Sequence, residues 1–241
     1  MITNKTIHYC WFGKNPKSKL ILKCIESWKK FCPDYEIKEW NEENFDVNCC
    51  DYVREAYEAK KWAFVSDYCR FYVLYKQGGI YLDTDVELLK PIDWLGENFV
   101  GFESETRVNS GLVRAAEKGN NVCKLMLDSY ASDHFLKQDG SFNLLTVCDR
   151  ETRILCLHGM KTDNSFQIIE NTKIYPSDYF NPTDMSNGKV SITSNTVSIH
   201  HYAASWVSKN DRIRGKIAKW FYRLFGTKNA NKIRKVFGRK R

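Results

Sequence analysis

A helix, a double glycine and a short apolar strand that ends in two aspartates follow one another at residues 61–88. This succession constrains the fold more than any other feature of the chain. KWAFVSDYCRFYVLYKQGG (61–79) has the apolar spacing of a buried helix, and Gly78 and Gly79 predict its end. IYLDTDVEL (80–88) then predicts a strand. The segment indicates one unit of an α/β fold.

Strands and helices alternate along the rest of the body as well. We predict early strands at 5–13 and 34–40 and early helices at 18–32 and 51–59. The later candidates are strands near 98–103 and 108–114, helices near 121–132 and 142–157, and a hairpin around residues 187–188 that leads into TVSIHHYAASW. This order predicts an α/β sheet flanked by helices, with a ligand site beyond the carboxyl ends of the strands.

Asp83 and Asp85 close the strand predicted at 80–88 and are the first candidates for a functional site. Residues i and i+2 of an extended chain project to the same side, so both carboxylates face one point while Thr84 turns away. Mg²⁺ and Mn²⁺ prefer carboxylate and phosphate oxygens, and commonly use only one or two protein carboxylates. The pair therefore predicts a divalent-cation site. The plain alternative is an acidic strand end that merely begins a turn.

Three sequence blocks resemble a known group of enzymes. They are IHYCWFG (7–13), WAFVSDYCRFYVLYKQGGIYLDTDVE (62–87) and IHHYAASW (199–206). Together they resemble the DXD-containing glycosyltransferase family 32, which includes capsular polysaccharide synthesis proteins and initiating mannosyltransferases of yeast. A more distant similarity runs to the glucosylating domains of large clostridial toxins. The resemblance covers about residues 5–206 and implies a GT-A fold, a nucleotide-sugar donor, a divalent metal (Mn²⁺ or Mg²⁺) and transfer with retention of anomeric configuration.

The resemblance also implies roles for residues of the first two blocks. Trp11 stacks on the donor's base, and Tyr81 contacts the nucleotide; both suit a uracil, so a UDP-sugar is favoured while GDP-mannose stays open. Asp67 accepts hydrogen bonds from ribose or sugar hydroxyls, Arg70 reaches the donor sugar or its phosphates, and Ser66 is a weaker candidate for the same pocket. The alternatives are a core tryptophan, a half-buried strand tyrosine and a local ion pair between Asp67 and Arg70.

The third block contains candidates for a further metal ligand beside the two aspartates. In similar enzymes a ligand from the C-terminal part completes the metal shell, and His201 occupies that place, with His200 as the alternate. The resemblance therefore implies that Asp83, Asp85 and His201 bind the metal. Asp83 also contacts the donor, and Trp206 closes over the donor within a C-terminal loop that excludes water. A structural histidine is the alternative.

The chemistry implied by the resemblance centres on the leaving diphosphate. A cation held by Asp85 stabilises the charge that develops on it, and Arg70 assists. For retention, the attacking hydroxyl approaches the face that the diphosphate leaves. Glu103 is the nearest candidate nucleophile for a covalent route, and Asn109 resembles a supporting residue near the sugar.

The charge is distributed unevenly along the chain, which divides it into a body (1–206) and a tail (207–241). The tail has thirteen Lys or Arg and one acid, a balance of +12, whereas the body has a balance of −4. Apolar residues recur at helical spacing in the tail: Ile213, Ile217, Trp220, Phe221, Leu224 and Phe225. A basic amphipathic helix predicts attachment to an anionic membrane surface, which fits a lipid-linked glycan acceptor. The alternatives are a helix packed on the body and nucleic-acid binding, for which no recognised motif is present, so we expect no nucleic-acid partner.

Cysteine usage bears on the compartment. The nine cysteines include no C-x-x-C pair and lie in apolar patterns, so we expect reduced thiols. The N-terminal segment lacks the pattern of a secretory signal, and no apolar run of about 18 residues occurs. We therefore expect a cytoplasmic protein, peripheral on the inner face of the cell membrane.

Two other functions fit parts of the pattern. The aspartate pair also resembles that of haloacid-dehalogenase-type phosphotransferases, although Glu87 stands where that motif has Thr or Val. The other is a non-catalytic sugar-binding relative of the same fold.

Overall fold

The structure is a computed structural model that describes residues 2–184 and 187–203 of the 241-residue chain. The sequence-based predictions for Trp206 and for the tail at 207–241 lie outside these residues. Within the described ranges, no helix has both the length and the apolar character that a bilayer span requires.

Nine strands and six α-helices make up this part of the chain. The strands are β1 (Thr6–Cys10), β2 (Glu36–Trp40), β3 (Gly79–Tyr81), β4 (Val86–Leu88), β5 (Phe99–Gly101), β6 (Arg114–Ala116), β7 (Gln167–Ile169), β8 (Thr172–Tyr175) and β9 (Ser198–His200). The helices are α1 (Lys19–Phe31), α2 (Asp51–Glu58), α3 (Trp62–Gln77), α4 (Asn121–Asp128), α5 (Val147–Leu157) and α6 (Ser177–Phe180).

Seven strands form one mixed sheet in the order β2-β1-β3-β6-β5-β8-β7. β1 runs parallel to both β2 and β3, and β5 runs parallel to β8, whereas β6 is antiparallel to both of its neighbours and β7 is antiparallel to β8. β4 and β9 form a separate antiparallel pair. The predicted α/β class, a mixed sheet flanked by helices, is confirmed.

The alternation of side chains along β1 separates two cores. Ile7 and Tyr9 belong to the cluster that includes the buried face of α1, whereas Cys10 belongs to the cluster formed with α2 and α3. Since successive side chains of a strand point to opposite faces, the sheet is covered by helices on both sides. Ser18 caps α1 by accepting a hydrogen bond from the N–H of Ile21, as predicted.

The double glycine ends α3 and begins β3 at the predicted place. Gly78 has a φ of 73° and Gly79 a φ of 104°, a region that disfavours other residues. A Cβ at Gly79 would lie 2.7 Å from the main-chain oxygen of Thr6, so only glycine permits this approach to β1. The end of α3 is thereby fixed against the strand that lies beside β3.

His8 ties the same junction together from the buried side of β1. Its Nε2 donates to the main-chain oxygen of Gly78 at 2.8 Å, and its Nδ1 accepts from Trp40 Nε1 at 3.1 Å. Burial lowers the pKa of His8 from 6.5 to about 4. The ring is therefore neutral at pH 7, which suits its one donated and one accepted hydrogen bond.

This buried histidine predicts sensitivity to acid. The unfolded chain binds the proton more tightly than the folded chain, so the free energy of unfolding falls as pH drops from 6.5 to about 4. The contribution of neutral His8 to the free energy of unfolding is fully present above pH 6.5. It falls by about 3 kcal/mol between pH 6.5 and pH 4. Urea unfolding of the wild type and of His8→Gln at pH 7.0 and 4.5 measures it. A loss of stability of equal size in both proteins would contradict this assignment.

A charged pair is buried on the other side of β3. Arg114 of β6 bonds Glu151 of α5, and both side chains have no exposed surface. The Arg114 guanidinium also lies 5.2 Å from the ring centroid of Phe71 on α3. Because Arg114 is directly opposite Tyr81 in the β3–β6 pairing, the ion pair anchors α5 next to the strand that leads into the aspartates.

Three boundaries predicted from the sequence are wrong. The strand predicted near 108–114 overlaps the observed β6 only at Arg114, and Val108 forms an isolated bridge with Phe102 instead. The strand predicted at 80–88 is divided into β3 and β4 by a turn, because β4 leaves the main sheet to pair with β9. The helix predicted at 142–157 begins at 147, where Thr146 caps α5, while Phe142 forms an isolated bridge with Leu136. The sequence did not predict the hairpin of β7 and β8, which turns at Glu170 and Asn171, both with positive φ.

Candidate active site

Asp83 and Asp85 lie in the turn between β3 and β4. The main-chain N–H of Val86 donates to the oxygen of Asp83 at 3.0 Å, which closes a four-residue turn. The prediction that an extended chain aims both carboxylates is therefore wrong, and a turn presents them instead. Their side chains are 27% and 13% exposed, respectively, so both are accessible in part to a ligand. Burial raises the pKa of Asp83, and the negative charge of Asp85 adds to this shift.

Arg70 links Asp83 to helix α3. Its Nη2 lies 2.8 Å from Asp67 Oδ1 and 3.2 Å from Asp83 Oδ1, and its side chain is only 4% exposed. The guanidinium stands 4.8 Å from the ring centroid of Tyr81, whose hydroxyl donates to Asp83 Oδ1 at 3.1 Å. Four residues predicted from the sequence thus lie together: Asp67 and Arg70, three apart on α3, Tyr81 at the end of β3, and Asp83.

Burial and charge act in opposite directions on these carboxylates. Burial raises the pKa of Asp67 to about 6, although the positive charge of Arg70 opposes the shift. The pKa of Asp83 is likewise raised by burial, and Arg70 again acts against it. The positive charge of Arg70 therefore opposes the effect of burial on the pKa of both acids.

The second aspartate is held from the far end of the described chain. His200 Nε2 donates to Asp85 Oδ1 at 3.0 Å, and the main-chain N–H of Ala203 donates to Oδ2 at 2.7 Å. Burial alone would raise the pKa of Asp85, but the charge and hydrogen bond of His200 outweigh it, so the pKa lies below its ordinary value. The pKa of His200 is raised, because Asp85 outweighs the opposing effect of burial.

The two adjacent histidines lie in different surroundings. His201 Nε2 donates to Glu87 Oε2 at 2.8 Å and does not face the aspartate turn, whereas His200 contacts Asp85. His200 is the last residue of β9 and His201 directly follows it, and their side chains meet different carboxylates. Of the two histidines left open by the sequence, the structure places His200 beside the predicted metal-binding aspartates. Its Nδ1 is buried and has no hydrogen-bond partner among the described residues.

Glu103 and Asn109 belong to a second wall of the site, the segment between β5 and β6. Glu103 Oε2 accepts from Arg107 Nε at 2.9 Å and Nη2 at 2.7 Å, and Oε1 accepts from Asn109 Nδ2 at 2.9 Å and from the Tyr202 hydroxyl at 3.2 Å. Both oxygens of this carboxylate are thus engaged. Asn109 Oδ1 accepts from the N–H of Gly111 at 2.7 Å, which sets the loop beside Asp83.

Gly111 of this segment lies directly against Asp83 of the aspartate turn. Its main-chain oxygen accepts from the N–H of Asp83 at 2.9 Å. A Cβ at this position would lie 2.0 Å from Asp83 Oδ2 and 3.0 Å from Arg70 Nη1. The sequence motif VNSG thus has a steric reason to end in glycine.

This contact predicts a large effect of one methyl group. In Gly111→Ala the Asp83 carboxylate must move away from its present position, and we expect sugar transfer to fall about 10²-fold, the loss that ångström-scale misplacement can cause. Steady-state kinetics and a thermal melt measure activity and folding separately. Ser132→Ala, at an exposed position after α4, is the control and should keep the activity of the wild type. Wild-type turnover in Gly111→Ala would show that the position of Asp83 is not critical.

Trp11 lies at a cleft of its own. It directly follows β1, and its ring Nε1 donates to the main-chain oxygen of Asn15 at 2.6 Å, while Lys17 Nζ stands 5.5 Å from the ring centroid. The cleft has a volume of about 280 Å³ and is lined by Trp11, Lys14, Asn15, Pro16, Lys17, Glu39, Asn41, Glu42 and Glu43. Because β1 and β3 are parallel neighbours, the cleft and the aspartate turn both lie at carboxyl ends of the sheet.

Ser66 is oriented along its own helix. Its hydroxyl donates to the main-chain oxygen of Trp62 at 3.0 Å, and its main-chain oxygen accepts from Arg70 Nε at 3.4 Å. The side chain therefore contributes to α3 itself, and its backbone helps to orient Arg70.

The residues present suit one kind of metal ion. Within residues 2–184 and 187–203, no three His, Cys, Asp or Glu side chains converge in the geometry of a metal site. Asp83 and Asp85 nevertheless provide two hard oxygen donors whose charges repel each other. Mg²⁺ and Mn²⁺ are commonly bound by one or two carboxylates together with water and phosphate oxygens, so the pair fits such an ion bound with a phosphate ligand.

Comparison with known proteins agrees with this chemistry. Residues 18–100 match the family model described as "Glycosyltransferase sugar-binding region containing DXD motif". The matched segment contains Asp67, Arg70, Tyr81 and both aspartates of the turn. The match supports sugar transfer and confirms the prediction of a transferase. The narrower assignment to family 32 stays a prediction.

Three individual proteins are also similar to this chain. "Subversion of eukaryotic traffic protein A" of Legionella pneumophila is 23% identical over 185 residues, which cover 62% of this chain and 28% of that protein. The chain thus spans little more than a quarter of that relative's length. The solved structure "PaToxG Glycosyltransferase" has 24% identity and a TM-score of 0.48, with 64% of this chain and 69% of that chain covered. A glycosyltransferase involved in the glycosylation of the major capsid of PBCV-1 has 11% identity and a TM-score of 0.45, covering 88% and 98%.

Sequence reasoning missed two contributors to the site. Arg107 and Tyr202 both bond Glu103, yet Tyr202 is 99 residues distant from it in sequence. Arg107 lies four residues after Glu103, and an acid and a base at that spacing in a short loop are a usable signal. Tyr202 lies in the third sequence block (199–206), but no local pattern indicates its contact with Glu103.

Proposed function

We propose that the protein is a metal-dependent retaining glycosyltransferase that moves a sugar from a nucleotide-sugar, a UDP-sugar in the favoured case, to a glycan acceptor. One observation carries the proposal. The aspartate turn is joined through a buried arginine to helix α3, and all of these residues lie in the segment that matches the DXD glycosyltransferase model.

Arg70 supports a diphosphate-containing donor. A guanidinium pairs well with phosphate oxygens, and its planar fork can serve two anionic groups at once. Arg70 is held by Asp67 at 2.8 Å, so its position is fixed independently of its weaker contact with Asp83 at 3.2 Å. A donor phosphate can therefore share or replace the Asp83 contact while Asp67 keeps the side chain in place.

Asp83 and Asp85 are the residues that would hold Mn²⁺ or Mg²⁺. When bound, such an ion stabilises the negative charge that develops on the leaving diphosphate. His200 orients Asp85 through its 3.0 Å hydrogen bond, and it is the histidine that lies within reach of the site. We therefore assign the histidine role in this site to His200 rather than to His201, which bonds Glu87.

Retention by same-face attack is supported by the state of Glu103. Its carboxylate accepts from Arg107, Asn109 and Tyr202, so it is a poor nucleophile for a covalent intermediate. In the proposed reaction the acceptor hydroxyl attacks the face from which the diphosphate departs, and the diphosphate accepts its proton. Asn109 acts as a supporting residue that fixes the loop beside Asp83.

The cleft beside Trp11 is the proposed site for the donor's base. An indole ring at the end of β1 suits stacking, and the volume of about 280 Å³ suits a single base with part of its ribose. Tyr81 is only 1% exposed and its hydroxyl bonds Asp83, so we propose that it acts on the donor site through Asp83 rather than by direct contact with the nucleotide.

The acceptor and the location are proposed from the sequence. The basic amphipathic pattern of residues 207–241 suits an anionic membrane surface, and a lipid-linked glycan in capsular or surface polysaccharide synthesis is the acceptor that fits it. The location that we propose is the inner face of the cell membrane. Deletion of 209–241 should abolish binding to vesicles that contain anionic lipid.

Thermal-shift measurements with UDP-glucose, UDP-galactose and GDP-mannose, each with and without Mn²⁺, test the donor class. A donor present at a hundred times its dissociation constant stabilises the native state by about 2.7 kcal/mol. We expect the shift to require both donor and Mn²⁺, and to be lost in Asp85→Asn. Equal shifts with and without metal would contradict a metal-dependent donor site.

A further inference from the structure

Tyr202 joins the two walls of the site through a single side chain. Its hydroxyl donates to Glu103 Oε1 at 3.2 Å, and its ring centroid lies 4.0 Å from that of His200. His200 in turn donates to Asp85. Tyr202, to which the sequence assigned no role, thus contacts both Glu103 and His200, the histidine that orients Asp85.

The backbone of Tyr202 is in an uncommon conformation. Its φ is 49°, in the left-handed region that bulky residues rarely adopt. This turn lets the N–H of His201 donate to the main-chain oxygen of Asp85 at 3.0 Å and the N–H of Ala203 donate to Asp85 Oδ2 at 2.7 Å. Such strain persists only where the surroundings hold it.

The Glu103 end of the contact is firmly held. Glu103 is 6% exposed, and Arg107 donates two hydrogen bonds to its Oε2. Its main-chain oxygen accepts from Asn181 Nδ2 at 2.8 Å. The Tyr202 hydroxyl therefore bonds a glutamate whose carboxylate and main chain are both held by other residues.

We propose that Tyr202 is a positioning residue whose hydrogen bond to Glu103 holds residues 200–203 in the conformation that orients Asp85. Its effect on catalysis rests on the proposed function, because it acts through a metal-binding aspartate. Its effect on the conformation of residues 200–203 does not depend on the proposed function. Loss of the hydroxyl frees the strained turn, and Asp85 then loses the fixed orientation given by the Ala203 N–H and by His200.

Hydrogen exchange of the ligand-free full chain tests the conformational part. Tyr202→Phe removes only the hydroxyl, and we expect amides in peptides covering 198–203 to exchange about tenfold faster, the usual scale for a lost hydrogen bond to a charged group. Tyr175→Phe is the matched control, since the Tyr175 hydroxyl donates to the Leu95 oxygen at 2.9 Å in a buried position elsewhere. Unchanged exchange in Tyr202→Phe, or the same increase in both variants, would overturn the proposal.

Binding of Mn²⁺ alone, followed by electron paramagnetic resonance, tests the consequence for the site. We expect Tyr202→Phe to bind Mn²⁺ about five- to tenfold more weakly and Tyr175→Phe to bind like the wild type. Tyr202→Gly adopts the positive φ without strain, so binding as tight as in the wild type would show that the side chain does not position Asp85. If the wild type binds no Mn²⁺, the proposed metal-dependent function fails, and hydrogen exchange alone decides the role of Tyr202.

Discussion

Replacing Asp85 with asparagine should lower the rate of sugar transfer about 10³-fold while the fold is retained. The substitution removes a negative charge that would hold the cation, and the electrostatic stabilisation of a leaving diphosphate by such a cation is worth several kcal/mol. The amide oxygen can still accept from the Ala203 N–H, and the amide NH2 can donate to His200 Nε2 when the imidazole carries its proton on Nδ1, so the turn can keep both contacts. Initial rates at saturating donor and Mn²⁺ measure the loss.

Asp128→Asn is the control for Asp85→Asn. Asp128 ends α4 and pairs with Lys124 in an ion pair whose side chains are 52% and 58% exposed, so this substitution should change the rate by less than about twofold. Circular dichroism of both variants excludes unfolding. Activity within tenfold of the wild type in Asp85→Asn would defeat the proposed mechanism.

Replacing Arg70 with lysine should cost about 10² in kcat/KM although the positive charge is kept. Nη2 of Arg70 contacts Asp67 and Asp83 at 2.8 and 3.2 Å, while Nε donates to the main-chain oxygen of Ser66 and Nη1 to the Ser110 hydroxyl. A lysine ammonium is a point charge and cannot supply donors in all of these directions at once. It also loses the stacking on the Tyr81 ring at 4.8 Å. Asp83 would then lose its fixed partner.

The matched control is Arg54→Lys on α2, where the arginine is 39% exposed and pairs with Asp51. This exchange should leave kcat/KM within about twofold of the wild type. A titration with UDP in the presence of Mn²⁺ separates weaker binding from slower chemistry in Arg70→Lys. If Arg70→Lys and Arg54→Lys behave alike, Arg70 serves only as a local ion pair of α3.

Local sequence patterns were sufficient to predict helix α3, which carries Asp67 and Arg70 of the site. The apolar period of 61–79 and its terminal glycines predicted α3 to within two residues, because both signals act within one helix. The same spacing placed Asp67 and Arg70 on a shared face, and the ion pair at 2.8 Å agrees with it. Strand and helix order predicted the α/β class for the same reason.

Contacts between distant segments could not be predicted from local patterns. The break at Asp83 and Asp85 arises because β4 pairs with β9, more than a hundred residues later, and no local signal separates that from a continued strand. The choice of His200 over His201 depends on the register of the same pairing, since a shift of one residue would exchange their directions. The hydrogen bonds of Glu103 join the segment between β5 and β6 to Tyr202, and no single sequence signature indicates that long-range contact.

The most direct test of the central claim is the anomalous diffraction of crystals grown with Mn²⁺ and UDP. The proposed function predicts a peak about 2.0–2.4 Å from a carboxylate oxygen of Asp85 or Asp83, shared with a diphosphate oxygen of UDP. It also predicts Arg70 within hydrogen-bonding distance of that diphosphate. UDP bound without an ion, with Asp83 still on Arg70 and Asp85 still on His200 as in the ligand-free structure, would contradict the claim that this turn is a metal site.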